Sequence, residues 1–221
     1  MIVLGLTGSI GMGKSTAAAM LRNLRVPVHD SDACVHDLLS VDNPAHFHVA
    51  AAFPYYEYPQ IYDRKTKGIN RKALGAVVFA DDAKRARLEA VLHPMVRQSQ
   101  MDFIRACTAK GVDIVCLDIP LLFETGAEHR VDYTIVVSAP AFLQAQRVLA
   151  RPGMDEARFA AILARQMPDA EKRRRADYVV NTGLGRARTM KELKQVLRNL
   201  REIENPAPVI DEKKKEEERY I

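Results

Sequence analysis

The string Gly8-Ser9-Ile10-Gly11-Met12-Gly13-Lys14-Ser15 constrains this chain more than any other feature, because it fits G-x-x-x-x-G-K-[ST] at every fixed position. Its surroundings agree. Residues 2–6 form a short apolar run that reads as a buried strand, and residues 14 to about 25 carry a helical pattern. The glycines allow backbone conformations closed to other residues, so consecutive N–H groups can turn inward around phosphate oxygens. The start of the helix adds the positive end of its dipole. Gly8, Gly11, Met12, Gly13 and Thr16 are thereby assigned to the phosphates of a bound nucleoside triphosphate. Lys14 is assigned to the β- and γ-phosphates and the Ser15 hydroxyl to Mg2+.

Four more short apolar runs, at about 26–29, 112–117, 133–137 and 178–180, are separated by helical patterns. That alternation predicts an α/β chain of P-loop NTPase fold: a five-stranded parallel sheet with helices on both faces. Two intervals are too long for plain crossovers. Residues from about 34 to 111 read as a helical insertion, with an irregular loop at 53–68, and residues from about 141 to 175 as an arginine-dense helical lid. The expected organisation is one P-loop domain over 1–205, its core drawn from 1–33, 112–140 and 176–205, followed by a charged tail at 206–221.

Composition narrows the partners. No apolar run approaches the roughly 20 residues of a membrane helix, and the N-terminus lacks a signal-peptide pattern, so a cytoplasmic protein without a membrane partner is expected. Cys34, Cys107 and Cys116 lie far apart and read as free thiols rather than a disulfide framework or zinc site. The net charge of +5 comes without aromatic–basic interleaving, which favours anionic small-molecule substrates over nucleic acid. The expected state is a monomer or weak homo-oligomer.

An Asn-Lys-x-Asp guanine-recognition string is absent, and the small size suits a kinase that uses ATP and closes a lid over it. Asp30-Ser31-Asp32 ends the second predicted strand, on the edge where ligands of an open parallel sheet gather. Two carboxylates there can contact an acceptor hydroxyl and the water shell of Mg2+. The competing reading is a cap for the next helix, with Ser31 or Asp32 as N-cap. Another nucleoside or nucleotide kinase, or a non-catalytic P-loop switch, also fits these features.

The chain resembles the dephospho-CoA kinase family, whose members phosphorylate the ribose 3′-hydroxyl of dephospho-CoA with ATP. The resemblance runs from Met1 to about Gly185. After the phosphate loop it is carried by Asp30-Ser31-Asp32, Asn70-Arg71-Lys72-Ala73-Leu74 with Val78-Phe79, and Leu92-His93-Pro94. Pro120-Leu121-Leu122-Phe123-Glu124, Arg147-Val148-Leu149-Ala150-Arg151 and Gln166 complete it. Residues 53–68 and the tail depart from the pattern. The resemblance implies a CoA-binding role for the helical insertion, Asp32 as general base, and Asp30 beside it for metal or substrate. It also implies substrate contacts at Arg71, His93, Leu121 and Glu124. Arg147 and Arg151, four apart on one helical face, are expected to clamp the ATP phosphates. Asp118 closes its strand as a Mg2+-holding carboxylate or as a turn cap, and Asn181 stands past the last strand as an adenine contact or a turn former. His93 falls off the apolar stripe of Leu88, Val91, Leu92, Met95 and Val96, and Pro94 predicts a helix boundary there.

Overall fold

A computed structural model describes residues 1–40, 43, 45–63, 66, 68–79 and 81–204; the predicted tail at 206–221 lies outside them. Ile2–Thr7 (β1) is the middle strand of a five-stranded sheet, nearly all of it buried, which is why its apolar run does not alternate. Val28–Asp30 (β2), Ile114–Asp118 (β3), Tyr133–Ser138 (β4) and Tyr178–Asn181 (β5) complete the sheet in the order β2-β3-β1-β4-β5, all parallel. The five expected strands are present. β2 and β3 begin two residues later than the apolar runs do, and each ends on an aspartate. Asp30 and Asp118 are register partners across β2 and β3, and Leu6 pairs with Asp118 across β1 and β3.

Helix α1 (Lys14–Asn23) stops short of the expected end because Arg25 adopts φ 63°, while the Val26 N–H reaches back to the Leu21 carbonyl at 3.0 Å. That is the closure glycine usually provides at a helix end. Between β2 and β3 lie α2 (Ser31–Leu38), α3 (His46–Ala52), α4 (Arg71–Phe79) and α5 (Asp82–Ala109). After β4 come α6 (Ala141–Leu149), α7 (Glu156–Leu163) and α8 (Asp169–Arg175), and α9 (Arg186–Glu204) follows β5. One face of the sheet packs Leu4, Leu6, Ile135 and Val137 against Ala17 and Leu21 of α1 and Leu193 and Leu200 of α9. The other face packs Leu117, Ile119 and Leu122 against Phe103 and Ile104 of α5.

Helices α2–α5 enclose a second core around Phe53, Ile61, Leu74 and Leu92. Described residues of the expected irregular loop at 53–68 belong to that core. Phe53 and Ile61 are fully buried, the Tyr62 hydroxyl donates to the Phe53 carbonyl at 2.6 Å, and Tyr62 forms an antiparallel bridge with Ile69. Pro94 does not end a helix: α5 runs straight through it. Pro94 and Ala90 are both exposed, so the carbonyl whose intrahelical partner proline removes faces solvent, where water can satisfy it. Cys107 and Cys116 are buried, Cys34 is half-buried, and all three are free. No helix among the described residues is long and apolar enough to cross a membrane.

Candidate active site

The chain leaves β1 at its carboxyl end and turns at Gly8, where a Cβ would stand 2.5 Å from Val137 Cγ2 and 2.8 Å from the Val137 carbonyl oxygen. Only glycine lets the loop pass β4 that closely. Gly13 then N-caps α1 in the left-handed region (φ 88°), and no side chain caps the helix. The amides of the first turn therefore remain available to an anion. Side chains from two later segments hold the outer arm of the loop. Arg147 donates to the Gly11 carbonyl (3.3 Å), the Thr182 hydroxyl (3.2 Å) and the Thr182 carbonyl (2.8 Å), and Thr182 in turn donates to the Met12 carbonyl at 2.7 Å. Gln144 Nε2 donates to the Ile10 carbonyl at 2.8 Å, and the Ile10 N–H donates to Gln166 Oε1 at 3.0 Å. The loop borders a cavity of about 730 Å3 that Lys14, Ser15, Thr16, Arg151 and Asp32 also line.

Lys14 forms an ion pair with Asp118, whose side chain is 3% exposed. Burial pushes the Asp118 carboxyl above the usual carboxylate range, against the charge and hydrogen bond of Lys14 and with the help of Asp30 and Asp32. Asp32 is raised for the same leading reason, burial, with Lys14 pulling it down and Asp30 pushing it up. The two carboxylates of the Asp30-Ser31-Asp32 string divide their work. Asp30, rather than Ser31 or Asp32, is the N-cap of α2, its Oδ1 accepting from the Ala33 N–H at 3.0 Å. Asp32 sits one residue into the helix, and no described residue hydrogen-bonds its carboxylate.

Beyond Asp32 lies a second cavity, of about 540 Å3, against α2, α4 and α5. Its floor is apolar (Val35, Val78, Leu88, Leu92, Val96), and its rim carries Arg85, Arg97 and Arg130 against one carboxylate, Glu89, with Arg85 also paired to Asp82. Arg130 donates to Gln100 Oε1 at 3.1 Å, and buried Gln100 donates to the Ser31 hydroxyl at 3.0 Å, which fixes the guanidinium from behind. Partial burial, then the charge of Arg97, lowers the Arg130 pKa. Two like charges left facing one space are relieved by an anion. Asp32 and Pro120 line both cavities, so a carboxylate stands at the junction of a phosphate-binding space and a long space that is apolar with a cationic rim.

A family model described as dephospho-CoA kinase matches residues 2–185. The chain belongs to the dephospho-CoA kinase family. It is 56% identical over 184 residues to the dephospho-CoA kinase of Rhodospirillum rubrum, covering 83% of this chain and 84% of that one. Against the dephospho-CoA kinase of Paramagnetospirillum magneticum it is 54% identical over 209 residues, 95% of each chain. The crystal structure of a Thermus thermophilus protein superposes with a TM-score of 0.76 at 36% identity, covering 90% of this chain and 97% of that one. As a member of a kinase family the chain is a phosphotransferase of P-loop NTPase fold, with ATP as co-substrate.

The structure sorts the residues that the dephospho-CoA kinase resemblance singles out. Gly8, Gly11, Gly13, Lys14, Ser15, Thr16, Asp32, Arg147 and Arg151 line the first cavity, and Asp32, His93 and Leu121 line the second. Met12 lines neither cavity: its side chain is buried in the sheet core, and its carbonyl accepts from Thr182. Asn181 lines neither cavity: its Oδ1 accepts from the Gly183 N–H at 2.7 Å and closes a turn. Arg71 begins α4, exposed and outside the second cavity. Glu124 also lines neither cavity. Its Oε1 lies 2.8 Å from the Nζ of fully buried Lys172 and accepts from the Met167 N–H at 2.8 Å, tying the end of the β3 loop to α8. Gln144, Thr182, Arg97, Arg130 and Gln100 carry no sequence expectation. Only Arg97 and Gln100 had a signal to give, as continuations of the α5 face through Arg85, Glu89 and His93 at helical spacing.

Proposed function

We propose that this chain transfers the γ-phosphoryl group of ATP to the ribose 3′-hydroxyl of dephospho-CoA, the last step in making coenzyme A. The observation that carries this reading is the shared wall: Asp32 and Pro120 border both the phosphate-loop cavity and the apolar cavity with its arginine rim. A kinase for a long, anionic, partly apolar acceptor needs that juxtaposition, and a nucleotide switch has no use for the second space. ATP occupies the first cavity, and dephospho-CoA lays its diphosphate on Arg97 and Arg130.

Asp32 accepts the hydroxyl proton as the P–O bond forms, since a sugar hydroxyl is too weak an acid to ionise beforehand. A carboxyl held above its usual range by burial keeps a proton better once it has taken it. Lys14 neutralises the β- and γ-phosphates. Arg151, whose guanidinium has no hydrogen-bond or ion-pair partner among the described residues, meets the transferring group, while Arg147 holds the loop through Gly11. No group of three or more His, Cys, Asp or Glu that could hold a metal is present among the described residues. That suits Mg2+, which is held by one or two protein groups plus phosphate oxygens. Ser15 and Asp118 would hold it, and when bound it neutralises charge on the phosphates being separated.

In this assignment the sheet with α1 and α9 is the core, residues 34–111 receive dephospho-CoA, and residues 141–175 are a lid that excludes water. Free thiols and the absence of a disulfide among the described residues support a cytoplasmic enzyme, acting as a monomer or weak homo-oligomer on small molecules alone. The test is ADP release from ATP and Mg2+ with dephospho-CoA, adenosine and other nucleosides as acceptors. Stimulation by dephospho-CoA well above the others is expected, and equal stimulation by all of them would refute the acceptor assignment.

A further inference from the structure

Two consecutive residues just past α7 reach in opposite directions. Gln166 accepts from the Ile10 N–H of the phosphate loop at 3.0 Å. Its neighbour Arg165 lays its guanidinium over the Phe79 ring, with Cζ 4.1 Å from the ring centroid, and donates from Nη2 to the Phe79 carbonyl at 3.1 Å. Phe79 is the last residue of α4, so its carbonyl lies among those a helix leaves unpaired at its C-terminus, where a cation is also favoured. The residue before it, Val78, lines the apolar cavity. Phe79 is 45% exposed, and Arg165 is exposed as well. An exposed aromatic ring under an exposed guanidinium does little for the core; what it does is join the 141–175 segment to the α2–α5 assembly across the mouth of the site.

We propose that Arg165 and Gln166 are positioning residues that couple the two half-sites, so that occupancy of either one favours the bound form of the other. The inference rests on assigning the two cavities to ATP and dephospho-CoA. Gln144, at the other end of the segment, grips the same loop residue through the Ile10 carbonyl. The segment is thus fixed to the donor loop at both ends and to the acceptor helices through Arg165. An acceptor that draws α4 inward carries Arg165 with it, and the adjacent peptide brings Gln166 onto Ile10. Linkage then requires the reverse effect of equal size: ATP settled in the loop tightens the acceptor site.

The experiment is calorimetric titration of the full chain with dephospho-CoA, with and without a non-hydrolysable ATP analogue, for the wild type, Arg165→Ala, Phe79→Ala, their double variant and Phe79→Trp. In the wild type the analogue is expected to tighten dephospho-CoA about five-fold or more. In Arg165→Ala and in Phe79→Ala that ratio falls toward one, and the double variant is no worse than either single one. Phe79→Trp, which keeps a ring face for the cation, retains the coupling. Affinity for the analogue alone stays within about two-fold in Arg165→Ala and Phe79→Ala, a split that a general loss of structure would not give. With ATP as donor, both variants hydrolyse more ATP per phosphoryl group transferred. A wild type that neither binds nor phosphorylates dephospho-CoA overturns the functional reading and this inference together. Normal transfer with the coupling ratio unchanged in Arg165→Ala overturns the inference alone.

Discussion

Lys172→Met removes one charge from an ion pair in which the lysine is 0% exposed and its partner Glu124 is 16% exposed. At the 2.8 Å separation and an effective dielectric constant of ~20, the gross attraction is about 6 kcal/mol. Desolvation of both charges offsets much of that in the intact protein, so the pair itself contributes little net stability. Deleting one member is different, because Glu124 is left mostly shielded from water with only the Met167 N–H to answer its charge, and breaking a pair so enclosed costs up to about 3–5 kcal/mol. For a chain of this size each kcal/mol moves the melting temperature by about 2–4 °C, so Lys172→Met should lower it by up to about 6–20 °C. The companion variant is Lys172→Met with Glu124→Gln. A glutamine Oε1 still accepts from the Met167 N–H, and no charge remains stranded, so the double variant should recover most of the loss. Thermal and urea unfolding, run side by side on the three proteins, decide it. A single variant within about 1 kcal/mol of wild type would mean that solvent screens the pair as it does on a surface. A double variant no better than the single one would show that charge is not what the pair supplies.

Asp32→Asn should lower kcat by about two orders of magnitude or more with the affinity for ATP little changed, measured by coupled ADP release and by nucleotide titration. The same variant carries a stability signature. Burial raises the Asp32 carboxyl, so the folded state favours its protonated form, and the wild type loses stability relative to the Asp32→Asn variant as pH rises toward and through that raised value. The advantage of Asp32→Asn in melting temperature, taken without nucleotide, should therefore grow as pH rises from the ordinary carboxylate range through the raised value and level off above it, and a shrinking advantage would contradict the burial argument. Gly11→Ala places a Cβ 2.6 Å from Val148 Cγ2 and 3.0 Å from the Gln144 carbonyl at φ 78°; the strain of about 1–2 kcal/mol should appear as about five- to thirty-fold weaker ATP binding by fluorescence titration. Arg130→Gln should raise the KM for dephospho-CoA by about ten-fold or more while leaving that for ATP near wild type, as steady-state kinetics with each substrate varied will report.

The phosphate loop was legible because its chemistry is local. Glycine positions, a preceding strand and a following helix all lie within one short stretch, and each glycine there meets a specific need, such as the approach of Gly8 to Val137. Strand identity was legible for a similar reason: strands covered on both faces are written as continuous apolar runs. Pairings between distant segments were not. Nothing near Glu124 announces that Lys172 will reach it, and an exposed position beside the substrate fits Glu124 as well until the fold joins α8 to the β3 loop. Asp30 and Asp32 differ only in which one the backbone of α2 recruits as its cap, a choice made by strand length rather than residue type. The proline rule misread α5 because it treats every helix carbonyl alike, whereas Ala90 is exposed and water can take the place of the N–H that Pro94 lacks. The stripe used to place His93 supplies part of the cavity floor through Leu88, Leu92 and Val96, and His93 lines the same cavity from the adjoining row of α5 that also carries Arg85, Glu89 and Arg97.

The ion pair between Lys14 and Asp118 bears on selectivity. The ammonium of the loop is already neutralised by a carboxylate beneath it, so an arriving anion competes for the cation instead of meeting it bare. A singly charged ion in water offers little that Asp118 does not already offer at contact distance. A polyphosphate does, since several oxygens engage the loop amides together while one of them draws Lys14 across. The site is thereby tuned to discriminate by the number of contacts an anion makes at once: chloride and simple carboxylates face an occupied partner, and the triphosphate brings enough contacts to make the exchange favourable.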